Sequence, residues 1–375
     1  MKDIIIENGI IFRPDNTFHR GTIAIHEGRI TNDIPDEAER IDAEGLYVIP
    51  GLTDIHFHGC AGHDFCEGTR EALQAIAEYE AMHGITTICP ATMTLPEHDL
   101  IRIMRAAGEF ASEYPSLIGI NLEGPFISRE KMGAQNPAYI FPPDVQMLRR
   151  LQEESGEMIR VAVVAPETEG AMSFIRDARS ITKISIGHTA CDYDIARRAF
   201  EEGALHVTHL YNAMNGINHR APGPIIAAVE NDNVMVELIC DGVHVHPATV
   251  RNTLRMFGED RVIFISDSME AAGMPDGEYE LGGQKVIKKG NIALLEDGKT
   301  IAGSVTDLMG CLRVAVRDMG IPIEVAVKCA AVNPVRAVGL EGSYGRIEAG
   351  RVANVVVMKE DMEIVNVIRG GDILR

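Results

Sequence analysis

From residue 53 to residue 265 the chain alternates short apolar runs with longer stretches whose apolar residues recur every three or four positions. That alternation is the signature of βαβ units, in which parallel strands are joined by crossover helices. The runs fall at 53–58, 85–89, 117–122, 161–165, 183–186, 205–209, 234–239 and 262–265. Eight parallel strands are the number that closes a TIM-type (β/α)8 barrel, the α/β architecture expected here. The clearest helical patterns cover 70–83 and 192–202. The two ends read differently, with short β-rich runs such as 4–6, 23–25, 352–358 and 364–368 separated by turn-forming residues. They predict one small sheet domain assembled from 1–50 and 335–375, beside a barrel over 51–334.

Composition narrows the partners more than the fold. Hydrophobic residues at 46% and charged residues at 24% are ordinary globular usage, which excludes disordered and fibrous classes. A net charge of −20 repels nucleic acid and anionic membrane surfaces, and no basic stretch offsets it. An anionic substrate stays admissible, because a few cations inside a cleft outweigh a diffuse surface field. The seven cysteines are scattered without a C-x-x-C pair, which suits a reduced compartment. The apolar run at 4–6 is too short for a secretion signal and no later run approaches membrane-spanning length. These observations predict a cytoplasmic protein.

The chemistry lies in polar residues that punctuate the apolar runs. His56 and His58 fall in the first run, Glu123 just after the third, His188 just after the fifth, His209 at the end of the sixth and Asp267 just after the eighth. All are at carboxyl ends of expected strands, which converge on one face of a parallel barrel. His56 and His58, two apart, point the same way if the strand is extended. Glu123 with His188 and His209 makes a Glu plus two His set suited to zinc or iron. A carboxylate at Asp267 would stand near such a cation, able to take a proton from an activated water and return it to a departing amine. His244, beyond the seventh run, is placed to touch substrate, whereas His246, His63, His83, His98 and His219 read as loop, surface or packing residues. Cys60 and Cys66 lack any neighbouring signature that would activate a thiol.

Five segments then carry a family likeness: Pro50-Gly51-Leu52-Thr53-Asp54-Ile55-His56, Leu122-Glu123-Gly124-Pro125-Phe126, Ile186-Gly187-His188-Thr189, His209-Leu210-Tyr211-Asn212-Ala213-Met214 and Asp241-Gly242-Val243-His244. Over nearly its whole length the chain resembles the N-acetylglucosamine-6-phosphate deacetylases of the amidohydrolase superfamily. The resemblance implies a barrel with a small β-sandwich, usually as a homodimer. It implies Glu123, His188 and His209 as main metal ligands and Asp267 as catalytic acid and base. It further implies Asn212, Ala213, Arg220 and His244 as groups that hold the sugar phosphate, a role for which the Arg220 guanidinium is chemically apt. His56 and His58 resemble the members that hold two ions rather than one, bridged by Glu123. No lysine follows the fourth run, where Pro166 stands, which disfavours branches bridged by a carboxylated lysine.

Two positions depart from the family pattern. Gln135, in Gly133-Ala134-Gln135-Asn136-Pro137, stands where a histidine commonly helps to polarise the acetamide carbonyl. Its amide can donate a hydrogen bond to that oxygen but cannot carry a proton. Arg220-Ala221 lacks an acidic residue frequent at the second position. The reaction expected is removal of acetate from an N-acetylated amino-sugar 6-phosphate, with N-acetylglucosamine 6-phosphate first. The galactosamine epimer, another N-acyl amine and a non-catalytic sugar-phosphate sensor stay open. Zinc is the first choice of metal, with iron, manganese and cobalt also compatible with these ligands.

Overall fold

A computed structural model describes residues 2–33 and 37–375, so Met1 and residues 34–36 of the expected terminal domain lie outside the described part. Two runs pair in parallel as β1 (Leu52–Asp54) and β2 (Ile85–Ile88). Six more form a second parallel ladder in chain order: β3 (Ile120–Leu122), β4 (Ile159–Val164), β5 (Lys183–Ile186), β6 (Ala204–Val207), β7 (Met235–Ile239) and β8 (Val262–Ile265). Isolated parallel bridges at Ile88–Leu117 and Ala91–Asn121 link the two ladders. The result is a curled parallel sheet. Past its last strand, the Asp267 N–H donates to His56 O at 2.9 Å and the His58 N–H donates to Ser268 O at 2.7 Å. The chain leaving β8 thus lies against the chain leaving β1.

Helices return each strand to the next, beginning with α1 (Arg70–Met82) and α2 (Glu97–Glu113). Thr69 caps α1 by accepting the Ala72 N–H. Helix α2 buries Leu100, Ile103, Met104, Ala107 and Phe110, a stripe at three- and four-residue spacing that faces the sheet. Each large apolar side chain buried in this layer contributes roughly 2 kcal/mol. Strand alternation sorts the opposite faces. Val262 and Phe264 join the helix-side core, whereas Ile263 and Ile265 pack with Ile55, Cys89, Val161 and Ile239 in a separate cluster. Burial on both faces explains why the runs read as continuously apolar rather than alternating.

Strands from both termini meet in one mixed sheet of eight strands, in which Tyr47–Pro50 lies between Ile4–Phe12 and Val355–Met358. Its own core includes Ile6, Ile25, Val48 and Val355. One element was not anticipated. Between β8 and the helix Leu308–Arg317, an antiparallel sheet forms from Gly277–Leu281, Gln284–Lys289 and Ile292–Leu295. Gly282 and Gly283, at φ of 56° and 79°, make the two-residue turn that joins its first two strands.

The first and sixth strands end sooner than the apolar runs suggested. β1 stops at Asp54, whose side chain accepts the His56 N–H at 3.1 Å and turns the chain. His56 and His58 therefore lie beyond the strand, and strand alternation is not what aligns them. β6 stops at Val207, and His209 follows in the left-handed region at φ 27°.

Candidate metal and catalytic site

Glu123 leaves β3 into a turn that only glycine fits comfortably. Gly124 has φ 75°, and a Cβ there would meet Thr94 Oγ1 at 2.1 Å. The turn holds the Glu123 carboxylate over the mouth of the curled sheet. Glu123 Oε1 lies 3.0 Å from His209 Nε2, 3.1 Å from His188 Nε2 and 3.3 Å from His56 Nε2. Its Oε2 lies 3.4 Å from His58 Nε2 and accepts from Gln135 Nε2 at 2.7 Å. Two candidate ligand sets result, Glu123 with His188 and His209, and His56 and His58 with Glu123, and the potential ligand atoms of each set lie within 4.8 Å of one another.

These residues fit a divalent cation. Tetrahedral bonds of about 2.1 Å place neighbouring ligand atoms roughly 3.4 Å apart, and His188 Nε2 and His209 Nε2 face each other at 3.1 Å. Proton placement agrees with ligation. The His188 Nδ1–H donates to Lys131 O at 2.9 Å, and the His56 Nδ1–H donates to Glu237 Oε2 at 2.7 Å. Each bond leaves the Nε2 lone pair aimed at Glu123. His56 Nε2 is buried and has no hydrogen-bond partner. Burial pushes the Glu123 carboxyl upward, but the surrounding imidazoles outweigh it and hold the group well below its ordinary range.

Asp267 reaches the same place from β8. Its Oδ1 is 3.3 Å from His58 Nε2 and 3.8 Å from His56 Nε2. Burial raises its pKa, and His58 with His56 reverses the shift, so the ionised form is favoured. His244 lines the same pocket, its ring bonded to Asp241 Oδ2 at 2.7 Å. Burial lowers the His244 pKa and the Asp241 carboxylate more than restores it, leaving it raised. Gln135 is fixed at both ends of its amide, accepting the Thr94 N–H at 2.7 Å while donating to Glu123. Asn212 and Ala213 also line this pocket of about 330 Å³. Arg220 does not. It is exposed and lines an adjacent recess with Asn215 and Asn218.

Three residues escaped the sequence reading. Glu237, fully buried in the middle of β7, accepts from His56 and from the His209 backbone N–H at 3.0 Å. A lone carboxylate in an apolar strand was the available signal, since such a group persists only with partners. Lys299 and Thr300, from the turn after the inserted sheet, line the pocket but carry no local motif. All seven cysteines are free thiols, and burial pushes Cys60 and Cys66 well above the ordinary thiol range, as their unactivated setting predicted.

With the geometry in place, comparison with known proteins decides the family. The amidohydrolase family model matches residues 47–374. The chain belongs to the amidohydrolase family. Membership implies a divalent metal, and the His and Glu cluster supplies ligands for one. This amidohydrolase is a hydrolase of amide C–N bonds. It is 33% identical to the N-acetylglucosamine-6-phosphate deacetylase of Bacillus subtilis, over 99% of this chain and 97% of that one. It is 32% identical to the N-acetylgalactosamine-6-phosphate deacetylase of Escherichia coli O157:H7, over 88% of each. Among solved structures, a mutant N-acetyl-D-glucosamine-6-phosphate deacetylase of Mycobacterium smegmatis, in complex with N-acetyl-D-glucosamine-6-phosphate, matches with a TM-score of 0.94 at 32% identity. That match covers 100% of this chain and 99% of the other. The resemblance read from the five segments is therefore borne out. Among the described residues, no helix of the amidohydrolase is long and apolar enough to cross a membrane.

Proposed function

We propose that this amidohydrolase converts N-acetylglucosamine 6-phosphate and water to glucosamine 6-phosphate and acetate. The observation that carries the proposal is the placement of Asp267 within 4 Å of two imidazoles that also face Glu123. Glu123, His188 and His209 would hold a divalent cation, zinc in this proposal, with His56 and His58 providing for a second. The metal's contribution is Lewis acidity and a lowered pKa for water. Asp267, ionised and adjacent, takes the proton of the attacking water and passes it to the amine nitrogen as the C–N bond breaks. His244, kept protonation-prone by Asp241, donates to the acetamide oxygen as charge develops there. Gln135 steadies Glu123 and presents its remaining N–H toward the same oxygen. Asn212 and Ala213 hold the sugar from the loop after β6, with Arg220 contributing from the neighbouring recess.

The same proposal includes a closed eight-stranded barrel over 51–334, with the mixed sheet of 1–50 and 335–375 as its sandwich-type partner domain. It also includes a cytoplasmic homodimer. The galactosamine epimer is a second reading, favoured by the similarity to the Escherichia coli enzyme. Acetate release from both N-acetylhexosamine 6-phosphates and their unphosphorylated sugars, with elemental analysis of the protein, separates the readings. Asp267→Asn is expected to lower kcat by about 10²–10⁴ while metal content is retained. Undiminished turnover in that variant sinks the catalytic assignment.

A further inference from the structure

The curled sheet has a second cavity at the end opposite the candidate metal ligands, about 310 Å³ in volume. On one wall stand Thr86, near the amino end of β2, and Tyr114 and Ser116, which lead from α2 toward β3. On the other stand Asn354, Arg369 and Asp372, from the last strands of the terminal mixed sheet and the turns beside them. The amino-terminal end of a parallel α/β sheet ordinarily serves stability. A joint that only packs satisfies its own buried polar atoms.

This joint does not. Among the described residues, Thr86 Oγ1, Ser116 Oγ and Arg369 Nη1 are buried atoms without a hydrogen-bond partner, and all three residues line the cavity. Thr86 is 0% exposed and Ser116 8%. Each such group costs free energy until something bonds to it. The guanidinium is held in place, stacked 4.7 Å from the Tyr114 ring centroid with Nη2 donating to the Tyr114 hydroxyl at 3.2 Å. Asn354 Oδ1 accepts the Gly370 N–H at 2.8 Å, which leaves its amide N–H groups as donors. Two carboxylates also stand on the walls. Glu113 is paired with Arg70 at 2.6 Å, whereas Asp372, opposite Arg369 in the strand register, is in no ion pair among the described residues.

We propose that this cavity binds a small monocarboxylate, whose oxygens accept from the free Arg369 Nη1 and from the hydroxyls of Thr86 and Ser116. The planar guanidinium fork matches a carboxylate in shape. One cation beside the Asp372 carboxylate, in a chain of net charge −20, suits a single negative charge better than the two of a phosphate. The cavity shares no lining residue with the pocket of Glu123 and Asp267. Its ligand therefore bridges the two sheets and stabilises the fold without competing with substrate. The inference stands apart from the question of which amide the amidohydrolase cleaves.

Isothermal titration and thermal unfolding of the full chain, with lactate, with pyruvate and with inorganic phosphate, test it. Saturable binding of each carboxylate is expected, with Kd on the order of 1 mM, and saturation should raise Tm by about 1–2 °C. Phosphate should bind about tenfold more weakly than either. Arg369→Gln should weaken carboxylate binding about tenfold and Ser116→Ala about threefold, with circular dichroism verifying that each variant is folded. Ser116→Ala reports from the opposite wall should Arg369→Gln fail to fold. No saturable binding of either carboxylate would overturn the proposal. Binding unchanged in both variants would do the same, because it would put the ligand at the metal pocket or elsewhere. Phosphate binding as tightly as the carboxylates would overturn the choice of ligand.

Discussion

Glu237 offers the sharpest test of how the fold prepares the proposed metal site, because it touches two candidate ligands without facing the pocket. Its Oε2 accepts the His56 Nδ1–H at 2.7 Å and the His209 backbone N–H at 3.0 Å, and the side chain is fully buried. Glu237→Gln keeps the shape and one acceptor oxygen but removes the charge. A hydrogen bond to a charged group is worth about 1.5–3 kcal/mol and a neutral one about 0.5–1.5 kcal/mol. The His56 bond should therefore weaken by about 1–1.5 kcal/mol, roughly a tenfold change in an equilibrium constant. The new amide also needs an acceptor, and the nearby polar atom is His206 Nε2, 3.7 Å from the present Oε1. The expected outcome is divalent-metal affinity reduced at least about tenfold, within the range for partners that orient metal ligands. Competition against a chromophoric chelator measures it directly, with circular dichroism to verify folding. Affinity within twofold of wild type in a folded variant would refute the claim that Glu237 fixes the His56 ring.

Two further perturbations probe the surrounding frame. In Asp241→Asn the carboxylate that sustains the His244 proton is lost while burial remains, so the His244 pKa should fall below its ordinary value. Ring chemical shifts followed over pH would show protonation confined to more acid solution, and a titration unchanged from wild type would contradict the assignment. Gly124→Ala forces a Cβ to 2.1 Å from Thr94 Oγ1 at φ 75°, and should cost about 2 kcal/mol or more. Thermal unfolding would reveal the loss, and an unshifted Tm would show that the turn after Glu123 is not strained by a side chain.

The strands and the residues that cluster at their ends were legible in the sequence for one physical reason. A sheet buried on both faces is written as unbroken apolar runs, so a Glu or His at the end of a run stands out. Glu123, His188, His209 and Asp267 were visible on that ground. Glu237 was passed over because Val236 and Leu238 around it satisfy the strand pattern, and its partners lie far away in sequence. The inserted sheet left a readable trace, since Gly282-Gly283 between two alternating runs is a hairpin signal. Lys299 left none, because an exposed lysine in a Gly-containing turn acquires meaning only from the pocket beside it.

Backbone conformation was beyond any local reading, and it is where the site departs most from ordinary structure. His188, His209 and Asp267 have φ values of 46°, 27° and 51°, a region that side-chain-bearing residues seldom occupy. Each such residue costs of order 1–3 kcal/mol and persists only where its surroundings over-determine it. Those surroundings are on hand. The Asp267 N–H is held by His56 O and its carbonyl by the Ser304 N–H, while the His209 N–H is held by Glu237. The left-handed step swings each side chain off the strand direction and over the sheet's mouth. An extended continuation would instead send successive side chains to opposite faces. The candidate metal ligands therefore converge because the strands stop short of them, and the hydrogen bonds that enforce those stops belong to the proposed site as much as the imidazoles do.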